Sequence, residues 1–255
     1  MLDIHNHLLK NVDDGPKSME EILILLKQAK NEGVTGIIVT PHHLHPNWNN
    51  TYPRIEIMVD KLLLDSRITE VGVKLFPGQE VRIKDQILRD LDNGDIKGLN
   101  ASRYILIELP SGQVPSATKQ ILYELQVKGL VPIIAHPERN KVIANDLEIL
   151  YELVNNGALS QLTSTSLNGN LGKKVQKISI QMIENNLIHF IASDAHHATT
   201  RPFLMNTLLK NKKLNHIIAD IEQIFSNGTR VVTNKKILKL PPTKPKKKRK
   251  FLGLF

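Results

Sequence analysis

Histidines and acidic residues recur along this sequence in short polar motifs that could bind metal ions. His5 and His7 stand two apart in D-I-H-N-H, and this spacing points both imidazoles to the same side of an extended chain. Further candidates of the same types are His42, Glu80, Glu108, His136, Asp194 and His196. Imidazoles and carboxylates without thiols suit zinc, manganese or iron. One ion uses fewer ligands than this, so the residue types predict two or three ions that share carboxylates.

Each candidate taken alone also has an ordinary structural interpretation. His136 could cap a helix through its His-Pro pair, and Asp194 could be a helix N-cap. Glu108 could be a buried acid that pairs with Arg103 or Arg139. A metal cluster is favoured because several strand ends would otherwise have acquired metal-competent residues independently.

The elements that must position these residues alternate regularly along the chain. Short, mostly β-branched segments predict buried strands at residues 2–5, 36–40, 73–76, 104–109, 130–135, 158–162 and 189–192. Amphipathic patterns predict helices at residues 18–32, 53–66, 116–128, 146–156, 172–186, 200–210 and 215–226. The first helix has a capping box, Ser18 with Glu21, and a stop signal at Gly33.

This alternation favours parallel strands joined by crossover helices, in either a closed β/α barrel or an open doubly wound sheet. The candidate ligands follow the predicted strands, and the carboxyl ends of parallel strands converge on one face. The sequence therefore predicts an α/β fold with a metal site at the C-terminal strand ends. Residues 1–240 should form one domain, followed by a basic and disordered tail at residues 241–255.

The amino-acid composition excludes several classes of function. Of the 255 residues, 41% are hydrophobic and 23% charged, which is typical of a globular protein, and the lack of cysteine excludes cysteine-nucleophile enzymes. The net charge of +9 includes six cations in PPTKPKKKRKFLGLF, so the remaining chain is only mildly basic. That balance and the scarcity of aromatic residues argue against nucleic-acid binding. No signal segment or membrane span is evident, so we expect a cytoplasmic protein.

The motifs D-I-H-N-H, V-D-D-G-P, T-P-H-H, G-Q-E, I-E-L, A-H-P-E-R and S-D-A-H resemble the PHP superfamily. Their order and spacing, from residue 2 to about residue 234, are most similar to its CpsB/YwqE-type bacterial tyrosine-protein phosphatases of capsule and exopolysaccharide synthesis. The resemblance implies a distorted seven-stranded β/α barrel and three divalent ions, manganese or alternatively iron or zinc. Its partner class is a phosphotyrosine protein, in particular a membrane-bound tyrosine kinase.

The resemblance also implies a ligand set for each ion. One ion would take His5, His7, Glu80 and Asp194, a second Glu80, Glu108 and His136, and a third Asp14, His42 and His196. Asp14 enters through the resemblance alone, since D-D-G-P otherwise predicts only a turn. Arg139 and Arg201 follow two of the ligand motifs and would bind the phosphate.

The predicted activity is hydrolysis of phosphotyrosine by a metal-bridged hydroxide, with a pocket histidine such as His43 as one candidate proton donor. Two alternatives stay open: a small-molecule phosphatase of the histidinol-phosphate type, and a non-enzymatic module that binds metal or membranes. For the tail, the polybasic run beside F-L-G-L-F predicts peripheral contact with an anionic membrane at its inner face, and a solvated terminus is the alternative.

Overall fold

The structure is a computed structural model that describes residues 1–245, so residues 246–255, most of the predicted tail, lie outside the described part. Its strands are β1 (Leu2–Asp3), β2 (Gly36–Val39), β3 (His42–His43), β4 (Lys74–Pro77), β5 (Glu80–Arg82), β6 (Tyr104–Glu108), β7 (Val131–Ala135), β8 (Leu159–Thr163) and β9 (Phe190–Ala192).

The α-helices are α1 (Met19–Asn31), α2 (Tyr52–Leu63), α3 (Ser66–Thr69), α4 (Ile87–Asp92), α5 (Thr118–Val127), α6 (Lys141–Asn145), α7 (Leu147–Asn155), α8 (Ser164–Asn168), α9 (Lys173–Glu184) and α10 (Ile218–Val232). Short 3₁₀ helices lie at Leu99–Ala101, Pro137–Arg139, Asn206–Lys210 and Lys212–Ile217. Within residues 1–245, no helix is long and apolar enough to cross a membrane.

All strand pairs are parallel, which confirms the predicted α/β class. One sheet has the order β1-β2-β4 and the other β3-β5-β6-β7-β8-β9. Beyond the last strand, Asn6 bridges to Ala195, and the His7 N–H donates to the Ala195 carbonyl at 2.8 Å. Strand pairing thus runs from β1 through the first sheet, continues where β2 and β4 pass along the chain into β3 and β5, crosses the second sheet, and returns to Asn6 just after β1. This ring supports the barrel, which stays a prediction.

Two apolar clusters lie on opposite sides of the strands. Tyr104 and Leu106 of β6 belong to an inner cluster, whereas the alternate residues Ile105 and Ile107 pack with the helices. The inner cluster consists of Leu2, Ile4, Ile38, Leu99, Tyr104, Leu106, Ile133, Ala135, Leu159, Phe190, Ala192 and Val231. Helix α10 contributes Val231, and the Asn227 side chain donates to the His189 carbonyl at 3.0 Å.

The predicted start of the first helix is confirmed. The Ser18 hydroxyl accepts from the Glu21 N–H at 3.1 Å, and the Glu21 carboxylate accepts from the Lys17 N–H at 2.7 Å. The carboxylate therefore reaches one residue beyond the Ser18 N–H that a capping box would pair. Gly33 follows the helix with φ of 76°.

Among the predicted elements that differ from the structure, two differ most. The helix expected at residues 200–210 is an irregular segment that ends in the 3₁₀ helix Asn206–Lys210, because its N–H groups bond elsewhere. The Glu32 carboxylate accepts from Met205 N–H at 2.9 Å and Thr207 N–H at 3.0 Å. The predicted strand at residues 36–40 also continues after Pro41 as a second strand, β3, in the other sheet. Pro41 lacks the N–H that would extend the first ladder.

Of the predicted tail, residues 241–245 belong to the described part and contact the domain. The Asn186 side chain donates to the Pro241 carbonyl at 2.9 Å, and the Thr243 N–H donates to the Asn185 carbonyl at 2.9 Å. Lys244 pairs with Glu148 on α7 at 2.5 Å. These contacts anchor the beginning of the tail, while its lysine run from residue 246 lies outside the described residues.

Candidate metal centre

Four buried side chains surround one point at the C-terminal strand ends. The Nε2 atoms of His5 and His7 each lie 3.4 Å from Glu80 Oε2 and 3.5 Å from Asp194 Oδ1, and 3.4 Å from each other. With ligand distances near 2.1 Å, a tetrahedral ion holds its ligand atoms about 3.4 Å apart. His5, His7 and Glu80 offer ligand atoms at this spacing, and Asp194 adds a carboxylate oxygen beside both imidazoles.

Glu80 is shared with a second group. Its Oε2 lies 2.8 Å from His42 Nδ1, and Glu108 Oε2 lies 3.9 Å from the same nitrogen. His136, which the resemblance placed in this set, meets the other oxygen of Glu80, with Nε2 to Oε1 at 2.8 Å. Glu80 therefore has both carboxylate oxygens next to imidazoles, but His136 meets it through a direct hydrogen bond and is in none of the three groups of clustered ligand atoms.

A third group lies on the outer side of His42. His196 Nε2 lies 3.0 Å from Asp14 Oδ1, and His42 Nε2 lies 3.7 Å from the same oxygen. His7 completes a set in which each residue offers a ligand atom within 4.8 Å of the others. Asp14, His42 and His196 thus converge, and His42 presents one ring nitrogen to each of two groups.

The breaks in two strands explain how these ligands meet. His42 and Glu80 begin the short strands β3 and β5, where they are register partners. The break before Glu80 contains Gly78, where an added Cβ would lie 2.7 Å from Ile38 Cγ2. The D-D-G-P turn is equally constrained, because a Cβ on Gly15 would lie 2.3 Å from the His7 carbonyl oxygen. Asp194 and His136 adopt positive φ angles of 51° and 32°, a strained backbone that is typical of functional sites.

Sequence reasoning missed two side chains that orient the ligand imidazoles. Asp13 Oδ2 lies 2.7 Å from His7 Nδ1, and Gln161 Oε1 lies 2.7 Å from His5 Nδ1. Both contacts leave Nε2 of each ring free for an ion, which is how such partners act in metal sites. The signal for Gln161 was its polar side chain on a buried strand, and for Asp13 its place beside Asp14.

Several buried ligand atoms in these groups have no well-directed hydrogen bond, although other ligand atoms lie as close as 2.8 Å and 3.0 Å. They are Asp14 Oδ1, His42 Nδ1, Glu80 Oε2, Glu108 Oε2 and His196 Nε2. Buried polar atoms are ordinarily paired, since leaving one unpaired costs about 1–3 kcal/mol. Divalent ions would satisfy all five, so the residues present fit the implied metals.

Burial and like charges shift the protonation of the ligands. Burial, and next the Glu80 carboxylate, raise the pKa of Glu108 to about 8. Burial lowers the pKa of His7, but Asp13 and Glu80 outweigh it and raise that pKa to about 10. Burial lowers the pKa of His136 and of His196 to about 4, with Arg139 and His7 as the respective second causes. Without ions, protons on Glu108 and His7 thus offset part of the crowded charge.

Both predicted phosphate-binding arginines lie at the rim of the site. Arg139 and Arg201 donate to Asp194 Oδ2, Arg201 at 2.7 Å. Arg201 also approaches Asp14 Oδ2 at 3.4 Å. The side chains are 36% and 35% exposed, so both arginines lie at the surface of the site while their guanidiniums pair with Asp194. A third arginine, Arg82, pairs with Glu108 at 3.0 Å and was not anticipated.

Two further histidines, His43 and His45, lie near the candidate ligands in the chain. His43 is buried, with Nε2 4.0 Å from Asp90 Oδ2, and is in none of the three groups. His45 stacks on the ligand ring of His42, with ring centroids 4.7 Å apart, and therefore lies beside the candidate ligands.

Comparison with known proteins agrees with this geometry. The family model described as "Capsular polysaccharide synthesis, CpsB/CapC" matches residues 1–233. A Staphylococcus aureus protein named CapC is 50% identical over all 255 residues, covering 100% of both chains. The Bacillus subtilis tyrosine-protein phosphatase YwqE is 37% identical over 255 residues, again covering 100% of both.

A solved structure extends the comparison to the fold. It superposes with a TM-score of 0.92 at 37% identity and covers 97% of this chain and 100% of its own. It belongs to work on YwqE from Bacillus subtilis and CpsB from Streptococcus pneumoniae, described there as metal-dependent tyrosine phosphatases.

Proposed function

This chain belongs to the CpsB/CapC family of capsular polysaccharide synthesis, and from that premise we propose that it is a metal-dependent protein-tyrosine phosphatase. The observation that carries the proposal is the convergence of three ligand groups beside two arginines at one rim. Metal ligands alone would suit many hydrolases, but paired guanidiniums next to them indicate a substrate with a phosphoryl group.

The groups described above would hold three divalent metal ions, and we favour manganese as the metal. His5, His7, Glu80 and Asp194 would hold one, Glu80 and Glu108 with His42 or His136 a second, and Asp14, His42 and His196 a third. When bound, such ions lower the pKa of coordinated water and neutralise charge on phosphoryl oxygens.

The chain's own residues bind and orient the phosphate. Arg139 and Arg201 each offer a planar fork that can leave Asp194 for the phosphoryl oxygens once an ion occupies the carboxylate. Their permanent charge stabilises the negative charge that the phosphoryl group carries in the transition state. The phenolate leaving group has a pKa near 10, so it needs less protonation than an alkoxide would.

We propose a tyrosine kinase of capsule synthesis as the physiological substrate. The family description ties the chain to capsular polysaccharide synthesis, and the two named relatives above share its full length. The rim arginines are exposed rather than enclosed, which suits a phosphorylated side chain presented by a protein.

Turnover measurements with added Mn²⁺ test the activity. We expect hydrolysis of a phosphotyrosine peptide to exceed that of histidinol phosphate, to stop with a chelator and to be insensitive to thiol alkylation. Arg139→Ala and Arg201→Ala should each lower turnover at unchanged metal content, whereas Tyr123→Ala on the exposed face of α5 is a matched control.

Preference for histidinol phosphate would contradict the proposal in favour of the small-molecule phosphatase. Full activity in metal-free protein would contradict the metal assignment. If the arginine variants lost metal as well, the arginines would support the cluster rather than the substrate.

We also propose that the tail brings the enzyme to an anionic membrane, where such a kinase would lie. Five of its six cations fall in residues 246–250, while Lys244 is engaged by Glu148. Vesicle co-sedimentation should need anionic lipid, weaken with salt and disappear when the chain ends at Leu240, with hydrolysis of a small phosphotyrosine mimic unchanged. Equal sedimentation of the two forms would exclude this role.

A further inference from the structure

Three aromatic rings stack at the edge of the candidate metal centre. The ring centroid of His42 lies 4.7 Å from that of His45 and 5.3 Å from that of Trp48, with interplanar angles of 24° and 9°. His45 and Trp48 are themselves stacked at 4.6 Å. His42 is buried, but His45 and Trp48 are half-buried, so the stack leads from a ligand ring outward to solvent. We call His45 and Trp48 together the aromatic ledge.

The turn that carries the ledge is held by hydrogen bonds at both ends. The Leu44 N–H donates to Asn49 Oδ1 at 3.2 Å, and the Trp48 N–H donates to the His45 carbonyl at 3.3 Å. The buried Asn50 side chain donates to the His42 carbonyl at 2.9 Å and to the Val12 carbonyl at 3.1 Å. The backbone that carries the two rings is therefore ordered by hydrogen bonds and by their mutual stacking, which lowers the entropic cost of binding to them.

The composition of the chain makes this placement unusual. Aromatic residues are only 4% of the sequence, and Trp48 is its single tryptophan. Neither ring of the ledge belongs to the buried apolar clusters within residues 1–245. Core packing therefore does not explain why Trp48 lies at this position, next to His42, whose two ring nitrogens face two ligand groups.

The position of the ledge indicates what it could contact. His42 separates it from Glu80 and Asp14, which belong to groups that would hold the ions binding a phosphoryl oxygen. An ester whose phosphorus lies over those groups must extend its organic part toward the rim. A flat ring attached directly to the ester oxygen would lie within the reach of an aromatic surface, whereas a flexible alkyl group would gain little from it.

We propose that His45 and Trp48 form an aryl subsite that receives the phenyl ring of phosphotyrosine and selects aryl over alkyl phosphate esters. The proposal rests on the function proposed above and adds the residues that determine its substrate class. Ring pairs of this type change an equilibrium constant by up to about tenfold.

Steady-state kinetics of the Mn²⁺-loaded enzyme test the subsite. The substrates are phosphotyrosine and phosphoserine in otherwise identical peptides, compared between wild type, Trp48→Ala, His45→Ala and Trp48→Phe. We expect Trp48→Ala to lower kcat/KM for phosphotyrosine about tenfold, mainly through KM, and to change the phosphoserine value little. Trp48→Phe should restore most of the preference, and Tyr123→Ala, which removes an exposed aromatic elsewhere, should leave it unchanged.

Binding without turnover gives a second readout, because the single tryptophan reports on the ledge alone. Titration of the Mn²⁺-loaded protein with a phosphonate analogue of phosphotyrosine should shift or quench Trp48 fluorescence. Methylphosphonate, which has the same charged group without a ring, should bind more weakly and change the fluorescence less.

The outcomes separate this proposal from the function it rests on. If the wild type hydrolyses phosphotyrosine and Trp48→Ala lowers both peptides equally, the subsite is wrong and the activity stands. If the variants lose bound Mn²⁺, the ledge supports His42 instead, which also overturns the proposal. If the wild type hydrolyses neither peptide, the proposed function fails, and equal affinity for the two phosphonates would then overturn the subsite independently.

Discussion

The two ends of the strand assembly differ in how their buried atoms are satisfied. The inner cluster is apolar, and residues such as Leu106 and Ile133 are fully buried against other hydrocarbon. At the carboxyl ends of the same strands, Glu108 and His136 lie among carboxylates and imidazoles. Several of these polar groups have buried atoms without a hydrogen-bond partner.

This difference indicates that the inner cluster stabilises the fold by itself, whereas the candidate metal centre depends on bound ions. Packing in the inner cluster contributes favourably whether or not metal ions are bound. At the ligand end, carboxylates such as Glu80 and Glu108 are buried close together, which is costly unless cations or protons compensate. Changes at the two ends should therefore separate stability from metal binding.

The largest expected effect is at the ligand end. Glu80→Gln removes the charge of a carboxylate that four imidazoles contact and that two ligand groups share. Loss of an ion that stabilises the transition state by several kcal/mol corresponds to about a thousand-fold lower kcat/KM. Metal analysis and kinetics should show both losses, while circular dichroism shows a folded protein. A variant with full metal content and activity would contradict the shared-carboxylate assignment.

The inner cluster should show the opposite pattern. Ile133→Ala opens a cavity at a fully buried position and should lower the free energy of unfolding by about 2–5 kcal/mol. At a temperature where the variant stays folded, metal content and kcat should remain near wild type. Denaturant titration of the metal-free form measures the loss, and Ile24→Ala, at an exposed helix position, is the control. Loss of metal in folded Ile133→Ala would show that the two ends are coupled.

A smaller effect should come from the residues that orient the ligands. Asp13→Asn keeps an acceptor near His7 but removes the charge that favours its Nδ1 proton. We expect metal affinity to fall about 10–100-fold with little change in metal-free stability. Competition with a fluorescent chelator measures the affinity, and Asp92→Asn, which removes an exposed charge on α4, provides the reference. Equal affinities for the two variants would exclude an orienting role for Asp13.

The smallest effect concerns pH. The raised pKa values of Glu108, about 8, and His7, about 10, mean that the folded metal-free protein retains protons that the unfolded chain releases. Its free energy of unfolding should therefore fall as pH rises from 7.5 to 8.5, by up to about 1.4 kcal/mol per pH unit and retained proton. His136 and His196, whose folded pKa values are lowered, titrate near 6.5 in the unfolded chain and oppose this fall mainly below pH 7.5.

Added Mn²⁺ should reverse the trend, since ions bind the deprotonated ligands and stabilise more strongly at higher pH. Chemical denaturation at pH 7.5 and 8.5, with chelator and with Mn²⁺, measures both slopes. Glu108→Gln should flatten part of the metal-free slope. A metal-free stability that rises over this window would contradict the assigned protonation.

Much of the strand and helix order could be predicted from the sequence, because it follows from short-range patterns. The run G-I-I-V-T and the Ser18–Glu21 cap each fold as local chemistry dictates. Residues 200–210 are an exception, since Glu32, far away in the chain, accepts hydrogen bonds from the N–H groups of Met205 and Thr207. A contact across that separation leaves no periodic signal in the sequence.

The candidate site shows the same division. The sequence by itself determined which residue types stand at the strand ends, and hence that imidazoles and carboxylates meet there without thiols. The tertiary structure alone decided that His42 serves two groups, that Asp13 and Gln161 orient the ligand rings, and that His45 and Trp48 stack at the rim. These features depend on ring orientation and on distances between separate loops, which the packing of the whole chain sets and no local pattern encodes.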